Sequence, residues 1–305
     1  NRSLEMLDAH SNLLSEKSLK DYKAEVRSLR AIYYWYLLDL FGRVPIITTT
    51  DVVRDQVRQS ERSQVFAFVV KELQETCPYL SEESSAHQGD YYGRVTRAVN
   101  YFVLAKLMLN AEVYTDDDWT DAQQPDGAQM QFTINGESMN AWEATIYYCD
   151  SIEELGYRLE SNYMANFNIQ NDTSNENIWT IILDKDLYTN IQENLYRSWH
   201  YRHAAAYGFT GENGICATTR ALEVFDYDTP DQDKRFDLNY WAGPVYDRDD
   251  KPVTDRSGNP LVYKPWDVMM DLSYSPYLET AGARMKKYTI DKNAKSGGKL
   301  MDNDI

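Results

Sequence analysis

The chain has 305 residues, enough to bury a large core as one extended domain or as two smaller ones. Its 31 Lys and Arg against 48 Asp and Glu give a formal charge of −17, which repels phosphate backbones and anionic headgroups and excludes nucleic acid as an expected partner. No apolar run reaches the ~18 residues needed to span a bilayer, and the longest stretch, Ala31 to Phe41, carries Asp39.

Residues 3–15 place Leu4, Leu7 and Leu14 at helical spacing, and Ser18 to Asp21 reads as a capping box ahead of a long second helix. That helix is apolar round more than one face through Ala24, Leu29, Ala31, Ile32, Tyr33, Trp35, Tyr36, Leu37, Leu38, Leu40 and Phe41, as expected of an element packed between other helices. Gly42 stands where a left-handed residue would end it, and Pro45 forbids resumption. A second pair follows. Val65, Val69, Leu73 and Cys77 lie behind a Ser63 cap, and the partner helix carries Val95, Ala98, Phe102, Ala105, Leu109 and Val113 on one face. A third helix over about 140–155 stacks Trp142, Thr145, Cys149 and Ile152 and stops at Gly156.

Helix pairs that are each too thin to bury their own faces predict a mainly α, tetratricopeptide-like repeat scaffold over 1–156. Insertions such as 116–139 stretch the period beyond the usual ~34 residues. After Tyr157 helical periodicity fades while Gly, Pro, Asn, Asp and aromatic residues increase. Residues 157–305 therefore read as an irregular, loop-rich cap with short strands, such as Ile178 to Leu183, carried on the scaffold.

No Gly-rich phosphate loop, GxSxG elbow or HExxH helix is present, and no cofactor is expected. Cys77, Cys149 and Cys216 form no CxxC pair; Cys77 and Cys149 sit on apolar helix faces and read as small buried hydrophobes. His200 and His203 would share a helix face at i, i+3 but lack a third ligand, so no metal site is expected. Asp116–Asp118 and the group Asp247, Asp249 and Asp250 read as solvated turns, with weak calcium binding the alternative. A glycosidase needs two carboxylates facing each other at ~5–9.5 Å, which a sequence does not display.

The aromatic residues carry more information. There are 24 Tyr and 7 Trp, many in polar, loop-like surroundings. Sugar rings present apolar C–H faces ringed by hydroxyls, so their sites combine flat π-surfaces with planar polar side chains. The segment 194–207 offers Tyr196, Trp199, Tyr201 and Tyr207 for stacking and Asn194, Arg197, Arg202 and His203 for hydrogen bonding. Trp241 and Trp266 belong to a second cluster of the same kind. The alternative is that these rings close the junction between cap and helices.

Several segments, in chain order, resemble the SusD/RagB family of outer-membrane glycan-binding lipoproteins. Ala24 to Pro45, with its A-E-x-R-x-L-R-A-x-Y-Y opening and its F-G and V-P ending, resembles the first helical repeat. Arg94–Ala98 with Leu104–Leu109 resembles the second, and Tyr148–Ile152 with Gly156–Leu159 and Asn162-Tyr163 the third. Asn175–Ile178 resembles a short strand entry, Asp233–Arg235 a D-x-R turn, and Arg284–Tyr288 an R-x-x-K-Y strand.

The resemblance implies a non-catalytic, surface-exposed protein of the outer membrane. It would be held there by a lipid anchor upstream of Asn1, with a last helical repeat downstream of Ile305. It would capture an oligosaccharide or polysaccharide and pass it to a SusC-like TonB-dependent transporter. A starch-like α-glucan is the first substrate to try, because 195–219 looks closest to the starch-binding members. Trp199→Ala or Tyr201→Ala would then weaken glycan affinity without loss of folding. A helical glycoside hydrolase and a peptide-binding repeat scaffold remain as alternatives; the first releases reducing ends and the second ignores sugar.

Overall fold

The structure is a computed structural model that describes residues 1–168, 171–182, 198–268 and 280–287, with the backbone of 295–296 and 299–300. It divides into two compact units, Asn1–Leu159 with Asp172–Thr180, and Glu160–Asn171 with Ile181–Ile305.

The first unit is helical: α1 (Arg2–Ala9), α2 (Glu16–Phe41), α3 (Arg62–Thr76), α4 (Arg97–Leu109), α5 (Ala111–Thr115) and α6 (Ala141–Glu154). α2 packs along α3 and α4 along α6, giving the paired-helix architecture that the sequence predicts. α2 begins one turn before the expected cap. Ser15 is extended and its hydroxyl accepts from the Ser18 amide at 3.1 Å, which leaves Ser18 inside the helix. Glu61, rather than Ser63, caps α3 in a reciprocal box with Gln64. Ser63 instead donates its amide and hydroxyl to Asp117 at 2.9 and 2.6 Å. At the far end of α2, Gly42 takes φ +68° and donates to the Leu38 carbonyl at 2.9 Å.

Three predicted faces are corrected. α2 is not covered all round: Ala24, Ser28, Ala31, Ile32 and Leu38 face the core, whereas Tyr33, Tyr36, Leu37 and Leu40 share the opposite, exposed face. Of the stripe expected from Val95, Val95 itself, Ala98 and Ala105 are buried, but its larger members are not, because the broad buried face of α4 lies on the side of Val103 and Leu107. Val99, Val103, Leu104, Leu107 and Met108 are buried; Phe102, Leu109 and Val113 are exposed. In α6 the buried row is Ala141, Ala144, Tyr148 and Ser151, whose small members admit α4 closely, and Cys149 faces outward. Cys77 is buried as expected, and burial pushes its thiol up to about 11.

Polar groups lock this core. Asn100 of α4 donates to Ser28 of α2 (3.0 Å) and to Thr76 (2.9 Å) and the Leu73 carbonyl (3.1 Å) of α3, with Asn100, Ser28 and Thr76 fully buried. Above it, Arg27 and Arg30 of α2 grip Glu72 of α3, each at 2.6 Å, and Arg27 also reaches Glu75 at 2.5 Å. Glu25 pairs with Arg94. The charged letters of the A-E-x-R-x-L-R motif are thus the clamps that fix α2 to its neighbours.

The insertion 116–139 holds an antiparallel hairpin, Phe132–Ile134 with Glu137–Met139, turned by Asn135 and Gly136 at φ +51° and +87°. This is the two-residue Asn-Gly turn that alternating flanks announce. The predicted strand over 178–183 is corrected through Ile182: the segment has no regular secondary structure and joins no ladder, and Leu183 falls outside the described residues. Ile178 and Trp179 instead pack on the helical core, and the indole N–H of Trp179 donates to the Gly93 carbonyl at 3.2 Å.

The second unit is irregular. It contains α7 (Tyr201–Ala206), α8 (Thr219–Val224) and α9 (Arg235–Asn239). Two-residue ladders join Tyr240–Trp241 to Arg284–Met285 and Gly243–Pro244 to Val262–Tyr263. Asp233 turns the chain into α9 by accepting from the amide and guanidinium of Arg235 at 2.5–3.1 Å. No described helix is long and apolar enough to cross a membrane.

Candidate functional site

Of the ten predicted site residues, Asn194, Tyr196 and Arg197 lie outside the described residues. The others occupy the second unit, most of them round one aromatic knot. Its centre is Trp199, 3% exposed, with its ring stacked on His203 at 4.1 Å. Tyr207, Phe209 and Trp241 approach the same indole edge-on at 5.0, 5.1 and 5.7 Å. The indole N–H donates to the Met285 carbonyl at 2.8 Å. Gly211 passes so close that a Cβ there would lie 2.5 Å from the Trp199 carbonyl oxygen, a space that admits only glycine.

This corrects two assignments. Trp199 and His203 are sealed by their neighbours and present no face to a sugar; they support the rings around them. His200, only 1% exposed, is the N-cap of α7, with Nδ1 accepting from the Arg202 amide at 3.1 Å. It therefore shares no helix face with His203. Among the described residues no group of three His, Cys, Asp or Glu side chains is gathered for a metal.

Tyr201, Arg202, Tyr207 and Trp241 are half-buried at the rim. Trp266 is 49% exposed and neighbours Tyr227 at 6.2 Å.

What covers the rim comes from an eight-residue repeat over 245–260 that the sequence analysis did not include. Val245-Tyr-Asp-Arg-Asp-Asp-Lys-Pro252 is followed by Val253-Thr-Asp-Arg-Ser-Gly-Asn-Pro260 and then Leu261. The two octads fold alike. Asp247 accepts from the amides of Asp249 and Lys251, both at 2.9 Å; Asp255 accepts from those of Ser257 and Asn259 at 2.8 and 2.9 Å. These backbone donors hold both carboxyls below their ordinary range. Asp250 and Gly258 take the equivalent left-handed position at φ +58° and +83°. At the base Val245, Val253 and Leu261 are buried, and their amides form a closed ring: Val245 to Leu261 (3.0 Å), Val253 to Val245 (2.9 Å), Leu261 to Val253 (2.8 Å).

The fourth residue of each octad is an arginine, and each lies over a tyrosine of the 201–207 segment. Arg248 sits 5.1 Å from the Tyr207 ring centre and Arg256 6.0 Å from that of Tyr201. Lys286 lies 4.5 Å over Trp241, and burial pulls its ammonium below the ordinary lysine range. The rim thus alternates half-exposed rings with cationic donors, a surface suited to stacking and to hydrogen-bonding hydroxyls. The eight-residue recurrence of V-x-D-R and Pro was the available signal for it.

No family model matches the chain. The starch-binding protein SusD of Bacteroides thetaiotaomicron is 28% identical over 178 residues, covering 58% of this chain and 27% of that protein. In fold, a SusD-like protein of Bacteroides fragilis aligns with a TM-score of 0.59 and 16% identity over 90% of this chain and 52% of its own. The chain is thus similar in sequence and in fold to SusD and SusD-like proteins. A structure solved with xylogluco-oligosaccharide aligns equally well, with a TM-score of 0.59 and 17% identity over 93% of this chain and 49% of the other. The chain spans about half the length of those solved structures.

One consequence of the knot is a pH dependence of stability. Burial, with repulsion from His200, pulls the His203 imidazole from 6.5 down to about 3. Between those values the unfolded chain binds a proton that the folded chain refuses. Stability is then complete above pH 6.5 and falls as the pH drops toward 3, by up to about 1.4 kcal/mol per pH unit from this group. Urea midpoints at pH 7.5 and 5 should differ less in His203→Gln than in the parent; equal differences would remove His203 as the source.

Proposed function

We propose that this chain is the glycan-capturing part of a cell-surface binding protein that performs no covalent chemistry. The observation that carries the reading is the pairing of half-exposed Tyr201 and Tyr207 with arginines delivered by two equivalent loops. Rings supply surface for the C–H faces of a sugar, and guanidinium forks supply directed donors to its hydroxyls. The relatives' ligands, starch for one and a xylogluco-oligosaccharide for another, support a neutral polysaccharide. The formal charge of −17 works against polyanionic glycans. An α-glucan remains the first choice. By family, the bound chain would pass to a SusC-like TonB-dependent transporter, with the protein lipid-anchored on the outer membrane.

Affinity electrophoresis in gels containing amylopectin, xyloglucan or polygalacturonate tests this reading. Retardation by a neutral polymer is expected, with no release of reducing ends. Tyr201→Ala, at the edge of the knot, should weaken it by roughly three- to tenfold, the value of one stacking contact of about 0.5–1.5 kcal/mol. The thermal midpoint should stay unchanged. Wild-type retardation in Tyr201→Ala would remove this rim as the site, and hydrolysis of the polymer would turn the reading to a glycosidase.

A further inference from the structure

The helical unit carries a second concave surface, unrelated to the aromatic knot. A hollow of about 660 Å³ lies between the C-terminal end of α2 and the loop after α5, bordered by Phe41, Arg43, Gln59, Arg62, Glu112 and Trp119. That volume falls within the ~300–1,000 Å³ typical of small-molecule sites. Two of its aromatic residues are unusually open: Trp119 is 60% and Phe41 68% exposed.

An exposed indole on a loop would ordinarily be mobile, but this one is held. Arg43 and Arg62 lie over its ring at 5.4 and 5.7 Å. Both arginines are anchored to the same loop, Arg43 through the Asp117 carbonyl at 2.9 Å and Arg62 through the Asp116 carbonyl at 3.2 Å. Asp117 in turn binds the first turn of α3 through Ser63. The loop is fastened at three points, so a ligand stacking on Trp119 meets a ring already in place and loses little entropy to ordering it.

The charges around the hollow are balanced. Arg43 pairs with Glu61 at 2.9 Å, and Glu112 and Asp116 stand beside Arg62 in the lining. The site is therefore not an anion trap. It offers an indole face, a phenyl ring, and amide, carboxylate and guanidinium groups at the margin. Those are the components that a neutral, hydroxyl-rich ring requires.

We propose that this hollow is a second saccharide subsite, built on Trp119, that binds a neutral sugar unit independently of the Tyr201–Tyr207 rim. It goes beyond the function proposed above, which assigns no ligand to the helical unit.

The test uses the whole chain labelled with 5-fluorotryptophan, with maltoheptaose and a xylogluco-oligosaccharide as probes. Trp119→Phe identifies the Trp119 fluorine resonance by its disappearance. Titration with at least one probe should shift that resonance in the parent and in Tyr201→Ala alike. Trp119→Ala should lower affinity for the same sugar by roughly three- to tenfold at an unchanged melting midpoint. An unmoved Trp119 resonance in a parent that is still retarded by the neutral polymers overturns the subsite and leaves the rim reading standing. A parent that binds no neutral glycan overturns both. A shift produced by polygalacturonate fragments alone overturns the neutral-sugar assignment.

Discussion

Replacing Glu72 by alanine is expected to destabilise the helical unit by about 3 kcal/mol, the cost of removing one partner from a buried ion pair. The thermal midpoint should fall by roughly 6–12 °C. Glu72 is 6% exposed and receives Arg27 and Arg30 together, so truncation removes the only carboxylate that Arg30 is paired with among the described residues, leaving it the Asn1 side-chain oxygen at 3.0 Å. Arg27 keeps Glu75, which places the expected cost at the lower end for such pairs. Glu75→Ala, at an exposed carboxylate, is the control and should cost under ~1 kcal/mol. Comparable losses in the two variants would show that the clamp contributes no more than a surface pair.

The same carboxyl has a pH signature. Burial raises its pKa, but hydrogen bonds from Arg27 and Arg30 outweigh burial and hold it below the ordinary 4.5. A group depressed in the folded state stabilises above its unfolded pKa. That contribution is lost as pH falls below 4.5 through the folded value. Glu72→Gln should therefore lose less stability than the parent on acidification below pH 4.5.

Trp199→Ala should cost about 4 kcal/mol and abolish the near-ultraviolet signal of the second unit's aromatic knot. The indole fills the centre of the knot, with His203 on its face and Tyr207, Phe209 and Trp241 at its edges, and it satisfies the Met285 carbonyl. Any glycan affinity housed on the rim should disappear with it, because Tyr207 and Trp241 lose the surface that orients them. This reverses the expectation from the sequence that Trp199→Ala would spare folding. Chemical denaturation of Trp199→Ala and Trp199→Phe decides it: a parent-like midpoint in the alanine variant would show that the knot does not need the indole.

Much of the helical unit was legible because its determinants are local. Apolar spacing and the Gly42 stop each act within a few residues. The faces were harder. Apolar residues occur on every side of α4, so spacing alone did not show that Val103 and Leu107, rather than Phe102 and Leu109, face the core. In α2, apolar composition concealed an exposed side at Tyr33, Tyr36 and Leu40, while Arg27 and Arg30 proved to be the residues that face a partner. At the rim, residue type pointed to rings and donors in the right segment. It did not separate Trp199, closed in by contacts up to 86 residues away, from Tyr201, which is not. Arg248 and Arg256 escaped notice because their partners lie 41 and 55 residues earlier, although their own repeat was written in the sequence.

The closed ring of Val245, Val253 and Leu261 separates architecture from display in the second unit. Each amide in it is anchored on another member's carbonyl, so the base holds together without recruiting the loop tips. The tips have already diverged, Asp-Asp-Lys in one octad and Ser-Gly-Asn in the other, on the same backbone path. The residues that the tips present beside Tyr201 and Tyr207 can therefore be exchanged without touching the hydrogen bonds that hold the two loops together.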